Sequence, residues 1–443
     1  MIEKIIKRDG RIVDFNREKI TLAVLAAAVA VGGHDRRLAE RVTDDVVAHL
    51  EAGRRRGLHP TVEEVQDLVE KCLIERGHAR TAKAYIIYRY EHHLKRAGRE
   101  SLTYSSENIP YRKLWETLSW GVDVGCVTLK QLSRFVEEGR FSELVDASEA
   151  FYRGELEDAA AVLLDRIDRV KIVIVSGPSS SGKTTSTIKL GEILEKRGYS
   201  LVALNVDNYF YDLESHPKDT HGDYDYETPQ ALELPLINRH LKELLAGKTV
   251  QVPFYNFQSG NREGISQELS LGPRDIILID SLHGMFEEMT EGIAEQKKFR
   301  LYIETLSQLK DAGGRFIRWA DVRMLRRMIR DRQFRNHNPK ETLAHWHYVR
   351  RSELHYIVSR LRTAHAIVNS FLVYELPIMK VKLGGLFPGF IEEFRGNPER
   401  EDALVRAERV SDLFGQIPAW SDDSAVPRFS LLREFIGGSG YEY

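Results

Sequence analysis

Cysteine is almost missing from this chain: Cys72 and Cys126 are the only two in 443 residues. Two thiols so far apart, with no CxxC pair, build neither a disulfide framework nor a thiolate zinc site. Long apolar runs are missing as well. The longest, LAVLAAAVAV over residues 22–31, is too short to span a bilayer, and the opening MIEKIIKRDG lacks the apolar stretch of a signal peptide. An excess of either charge is also lacking. Sixty-four basic against 66 acidic side chains leave −2, which gives no global attraction for nucleic acid or a membrane surface, so any polyanion site must be local. These absences point to a cytoplasmic protein with neither nucleic acid nor membrane as partner. What is present is ordinary for a globular protein, 42% hydrophobic and 29% charged, on a chain long enough for roughly two to four domains.

Along the chain, KIIKRDGRIVDF (4–15) has two short strands around Asp9-Gly10, a pair suited to the positive φ angles of a tight hairpin. Helices follow. In TVEEVQDLVEKCLIERG, Thr61 and Glu64 form a capping box, Val65, Leu68, Val69, Cys72 and Leu73 an apolar stripe, and Gly77 a stop. A further helix through ARTAKAYIIYRYEHHLKRAG closes this part near residue 95, and the polar stretch GRESLTYSSENIPYR is the natural boundary. Residues 105–168 have amphipathic helical patterning and no chemical motif. From residue 169 the pattern changes to apolar strands alternating with helices, KIVIVSG, LVALNVD and DIILID, which predicts a parallel α/β sheet. The tail, 384–443, is rich in Gly and Pro and is expected to be mostly loops with short helices. His345 and His347, or His92 and His93, lack a third ligand at metal spacing, and Trp319 and Trp346 are expected to pack.

GPSSSGKTT satisfies GxxxxGK[ST] directly between a strand and a helix-forming run. Gly177 and Gly182 let the backbone of Pro178, Ser179, Ser180 and Ser181 curl, so that successive N–H groups face a phosphate. Lys183 adds a charge beside the terminal phosphates, Thr184 offers a hydroxyl to Mg²⁺, and Thr185 completes the cradle. Asp280 ends the strand DIILID, where a carboxylate holds Mg²⁺ or its water, and Asp207 ends LVALNVD. Both acids should emerge at the carboxyl edge of the sheet, where one can accept a hydroxyl proton during attack on a γ-phosphate. MLRRMIRDRQFR (324–335) then finds a use. Helical spacing puts Met324, Leu325, Met328 and Ile329 on one stripe and Arg323, Arg327 and Arg330 on another. A solvated face has that pattern too, but beside a phosphate loop a hinged helix offering guanidinium groups stabilises phosphoryl transfer and expels water.

The blocks GPSSSGKTT, VDNYFYD, DYDYETPQALEL, VPFYNFQSGNR and RWADVRMLRRMIRDRQFRN follow in the order seen in uridine kinase and phosphoribulokinase-like P-loop kinases, which residues 169–383 resemble. The resemblance implies a P-loop NTPase-type parallel sheet with helices on both faces and an Arg-rich lid. It implies Asp207 as general base toward a nucleoside 5′-hydroxyl, Asp225 on the ribose hydroxyls, Tyr255, Phe257 and Arg262 in the acceptor pocket, and Arg327, Arg330 and Arg335 on the phosphates. Residues 1–95 resemble the ATP-cone, a small, mostly α module that binds adenine nucleotide; Lys7, Arg8, Gly10 and Lys19 fall in its nucleotide motif. The expected organisation is an ATP-cone over 1–95, a helical linker over 96–168, the kinase domain over 169–383 and a C-terminal extension over 384–443.

Five positions depart from the kinase pattern. Gly260 stands where the family has a pyrimidine-reading His, Asn256 replaces the preceding Asp, and Asp280-Ser281 replaces a Glu-Gly pair; His337 also replaces the last lid arginine. The expectation is an ATP- and Mg²⁺-dependent kinase of a nucleoside 5′-hydroxyl, tuned by adenine nucleotide at the cone and assembled as a homo-oligomer. The alternatives are a kinase of another small alcohol or sugar phosphate, and a non-catalytic nucleotide-sensing regulator.

Overall fold

The computed structural model describes residues 2–7, 11–29, 31–52, 59–78, 81–82, 84–85, 109–217 and 228–443. The chain forms two compact units, Met1–Thr103 with Phe394–Arg406, and Tyr104–Glu393 with Ala407–Tyr443.

In the first unit β1 (Lys4–Ile6) pairs antiparallel with β2 (Ile12–Asp14), Ile5 opposite Val13. The Asp9-Gly10 turn lies outside the described residues. Helices α1 (Glu18–Val29), α2 (Arg36–Ala52) and α3 (Val62–Glu75) follow. The capping box is formed: Glu64 N–H donates to Thr61 Oγ1 at 3.1 Å and Thr61 N–H to the Glu64 carboxylate at 2.7 Å. Val65, Val69, Cys72 and Leu73 are buried with Val24, Val42 and Val46 in one core. Each such side chain removed from water contributes about 1.5–3 kcal/mol. Gly77, at φ 77°, supplies the left-handed turn that ends α3. Of the next expected helix only 81–82 and 84–85 are described, as helical; its end, with His92 and His93, and most of the polar boundary stretch fall outside. Glu401, from the returning segment, pairs with Lys4 and with His59.

The second unit opens with α4 (Tyr111–Val124), α5 (Leu129–Glu137) and α6 (Phe141–Leu164). These helices have no chemical motif, but they clamp the sheet. Glu155 of α6 pairs with Lys113 of α4 at 2.8 Å and accepts the Asn369 N–H at 2.9 Å. The sheet joins β3 (Ile172–Ser176), β4 (Ser200–Ala203), β7 (Asp275–Asp280), β8 (Lys298–Glu304) and β9 (Ala366–Asn369), all parallel, in the order β4-β7-β3-β8-β9. β3 is buried along its whole length, as its unbroken apolar run requires. It lies between β7 and β8, so the loop after it opens at the middle of the carboxyl edge. Helices α7 (Lys183–Glu195) and α8 (Leu234–Leu245) follow β3 and β4, and β5 (Val250–Asn256) pairs with β6 (Asn261–Leu269) as a separate antiparallel hairpin.

After β8 come α9 (Trp319–Phe334) and α10 (Pro339–Ser352), then α11 (Glu375–Leu383), α12 (Phe387–Phe394), α13 (Glu401–Gly415) and the single turn α14 (Arg433–Ile436). The expectation of a largely irregular tail is corrected. α13 is a 15-residue helix, and Leu431, Leu432 and Phe435 are fully buried; the Gly and Pro residues mark joints between packed segments. Trp346 is buried as expected, and the Trp319 indole donates to the Ser307 carbonyl. Among the described residues no helix is long and apolar enough to cross a membrane, and no group of three or more His, Cys, Asp or Glu is placed to hold a metal ion.

Candidate active site

Geometry forces glycine at both ends of the loop after β3. A β-carbon on Gly177 would sit 2.2 Å from the Ile303 carbonyl oxygen, and Gly182, at φ 85°, is the N-cap of α7. Ser180 also takes a left-handed φ of 59°. Its hydroxyl and that of Ser181 are buried with no hydrogen-bond partner in the protein. Buried hydroxyls of this kind fit a polyanion seated in the loop. Lys183, the first residue of α7, donates to the carbonyls of Gly177 at 3.0 Å and Pro178 at 3.3 Å. Burial pushes its pKa down, against the pull of Asp280 and Glu434. Thr184 is exposed.

Parallel pairing of β3 with β7 sets Asp280 opposite Val175, two residues before Gly177. Burial raises the Asp280 carboxyl to about 6, with Lys183 opposing and the charges of Glu434 and Asp207 adding to the rise. Asp207 lies past β4 on a short 3₁₀ turn, Val206–Tyr209, capped by Asn205. It stands at the rim, open to solvent on one side and walled by protein on the others; lost hydration raises its pKa against the pull of Lys183 and Arg335. Lys183, Asp207 and Asp280 thus lie within electrostatic reach of one another. A hydroxyl and a carboxylate, Thr184 and Asp280, are the oxygen donors that suit Mg²⁺.

The arginine helix is only partly as expected. Arg323 is not on an offered face: it is fully buried, ion-paired with Glu304 and Glu353, and its Nη1 donates to the Ser179 carbonyl at 3.1 Å. Arg326 is equally buried against Glu375. A stripe count cannot see partners brought by β8, the segment after α10, and α11. Arg327 and Arg330 are partly exposed, and Arg327 Nη1 donates to Ser179 Oγ at 3.3 Å. Arg327, Arg330 and Arg335 gather on one buried carboxylate, Asp331, at 3.3, 2.9 and 3.7 Å.

On the β5–β6 hairpin Tyr255 is buried, and its ring lies 5.5 Å from Phe210 and 5.0 Å from Phe257, which is mostly exposed. His216 stacks at 6.4 Å on Tyr255, and its Nε2 lies 2.6 Å from the Tyr211 carbonyl. Since a carbonyl only accepts, that nitrogen carries the proton. The Arg262 guanidinium is held by Glu233 and the carbonyls of Tyr209 and Phe210, bracing the turn that carries Asp207. Gly260 has φ 71°, and a β-carbon there would meet Leu213 at 3.0 Å, so the hairpin turn itself demands glycine. Asp225, Arg8 and Gly10 lie outside the described residues. In the first unit Lys7 N–H donates to the Arg11 carbonyl, and Lys19 is exposed on α1.

Thr185 departs most from expectation. Its N–H and hydroxyl donate to Glu434 at 3.2 and 2.7 Å, and its hydroxyl also meets the Tyr443 hydroxyl at 2.9 Å. Sequence reasoning missed Glu304, Asp331, Glu353 and Glu434. The only signal was acidic residues near arginines, a pattern that surface pairs share.

Residues 3–94 match the ATP cone domain, and residues 172–376 match the phosphoribulokinase/uridine kinase family. The chain is 29% identical over 198 residues to a uridine kinase of Deinococcus deserti, covering 44% of this chain and 86% of that one. It is 31% identical over 160 residues to a uridine kinase of Staphylococcus aureus strain JH9, covering 36% and 68%. To uridine-cytidine kinase B of Dictyostelium discoideum it is 28% identical over 160 residues, covering 36% of this chain and 58% of that relative. With the phosphate loop on the central strand, an acid in register beside it and an arginine helix seated on Ser179, the chain belongs to the phosphoribulokinase/uridine kinase family of P-loop small-molecule kinases and carries an ATP-cone at its N-terminal end.

Proposed function

We infer that this kinase transfers the γ-phosphoryl group of ATP to the 5′-hydroxyl of a nucleoside. The observation that carries this reading is the convergence of Lys183, Asp207 and Asp280 at one sheet edge, with Arg327 against the phosphate loop. Asp207 takes the proton of the acceptor hydroxyl as its oxygen bonds to the γ-phosphorus and the bond to the β-phosphate oxygen breaks, releasing ADP. A carboxylate whose pKa is lifted by lost hydration suits that role. Lys183 and the Arg327, Arg330 and Arg335 group neutralise charge on the transferred group. Thr184 and Asp280 would hold Mg²⁺, which would supply further neutralisation of the phosphates. Tyr255 and Phe257 form an apolar wall for a base, and Asp225 is assigned to the ribose hydroxyls.

Asp207→Asn tests the assignment. Turnover should fall by about 10²–10⁴-fold with ATP binding retained; retained turnover removes Asp207 from the chemistry. The acceptor is sought by measuring ADP release over a panel of nucleosides and sugar alcohols. A purine nucleoside or another alcohol is favoured by one observation, that the Gly260 turn presents no side chain to read a pyrimidine. Adenine nucleotide at the cone, near Lys7 and Lys19, is the regulatory part of this reading. It predicts that Lys7→Glu with Lys19→Glu abolishes any response of activity to ATP or dATP beyond substrate saturation.

A further inference from the structure

The phosphate loop already carries an anion of its own. Thr185 is the third residue of α7, so its N–H is one of the first-turn donors with no partner inside the helix. Such donors, next to Gly182 and Lys183, are what a phosphate group uses in a loop of this kind. Here both donors of Thr185 are taken by the Glu434 carboxylate, from a residue 249 positions further along the chain. The contact is built into the packing. Glu434 is 7% exposed, and Leu431 lies so close to Gly182 that a β-carbon there would be 2.4 Å from its Cδ1. Arg433 holds the same turn by donating to the carbonyls of Asp423, Val426 and Gly437. Phe435, fully buried, lies beneath the Arg326 guanidinium at 5.2 Å. The backbone is therefore anchored, and the Glu434 side chain is the part able to swing away.

We propose that Glu434 is an internal competitor for the nucleotide phosphates: its carboxylate occupies Thr185, and ATP seats fully only when that carboxylate is displaced. A negative side chain beside donors that a triphosphate needs lowers affinity through charge repulsion and through the donors it occupies. Affinity is then set partly by the C-terminal segment, and any event that draws Glu434 off Thr185 tightens nucleotide binding.

This rests on the kinase reading above, and the test uses binding rather than turnover. Calorimetric titration of MgATP into the full-length protein is compared for the parent, Glu434→Gln and Glu434→Lys. The glutamine keeps the size and an acceptor oxygen but removes the charge. Affinity should rise roughly tenfold for Glu434→Gln at low salt and further for Glu434→Lys, with the gain shrinking as salt screens the charge. Unchanged or weaker binding by a glutamine variant that melts like the parent overturns the proposal and would make Glu434 a structural cap of α7. Failure of all three proteins to bind MgATP would overturn the kinase reading and this inference with it. Loss of turnover alone, with the rise in affinity intact, would strike only the assigned chemistry.

Discussion

Arg323 donates to the Ser179 carbonyl while its guanidinium is clamped between Glu304 and Glu353. Through that one side chain β8, α9 and the segment after α10 converge on the phosphate loop. Replacing Arg323 with Met leaves the buried Glu304 without its guanidinium partner and Glu353 with Arg350 alone. The loss should be about 3–5 kcal/mol in urea unfolding. Lys in its place should recover little, because a point charge cannot hold two carboxylates and a carbonyl at once. A loss under about 1 kcal/mol would show that the cluster is not needed for the fold.

Asp331 holds Arg327, Arg330 and Arg335 together. Asp331→Asn removes the charge that offsets their mutual repulsion, and the guanidinium groups should spread from the phosphate loop. The expected result is a fall in kcat/KM for ATP of roughly tenfold or more, with the acceptor KM little changed. Equal losses for ATP and acceptor would instead indicate general loosening of α9.

Gly260→His places an imidazole where the kinase pattern carries one, but the backbone refuses it. A left-handed φ and the contact with Leu213 should cost about 1–3 kcal/mol of stability. The ratio of kcat/KM for uridine over other nucleosides should not rise. A clear rise would mean that the hairpin refolds around the new ring.

His365 gives the second unit a pH dependence. Its Nδ1 accepts the Arg300 N–H, and burial, with Arg166 and Arg300 adding, lowers its pKa to about 4. The unfolded chain takes up a proton near pH 6.5 that the folded one refuses, so stability falls as pH drops from about 6.5 toward 4. Asp280, raised to about 6, titrates in the opposite sense over an overlapping range. Comparison with His365→Asn, which keeps an acceptor but does not titrate, isolates the histidine. The melting temperature of that variant should fall less than the parent's between pH 6.5 and 4.5.

Local chemistry is legible in the order of the residues. The phosphate loop, the Thr61–Glu64 capping box and the β1–β2 hairpin each use residues a few positions apart, and their periodicity and turn chemistry are written in consecutive letters. Asp280 falls beside the loop because an apolar strand ending in an acid fits few other positions in a parallel sheet. β8 is harder to find, because its run, KFRLYIE, buries Lys298 and Arg300 beside Glu295, which hides the apolar signal of a central strand.

What the linear chain determined by itself was the phosphate-loop motif between a strand and a helix, the capping box and the apolar strands β3 and β7, because those outcomes depend on neighbours in sequence. Tertiary structure alone decided which arginines stay partly exposed and which are sealed in buried ion pairs, that Arg262 braces a turn, and that Glu434 reaches Thr185. Each of those outcomes depends on a partner tens to hundreds of residues away, and a buried charge takes its role from the partner that packing delivers, not from its own position on a helix.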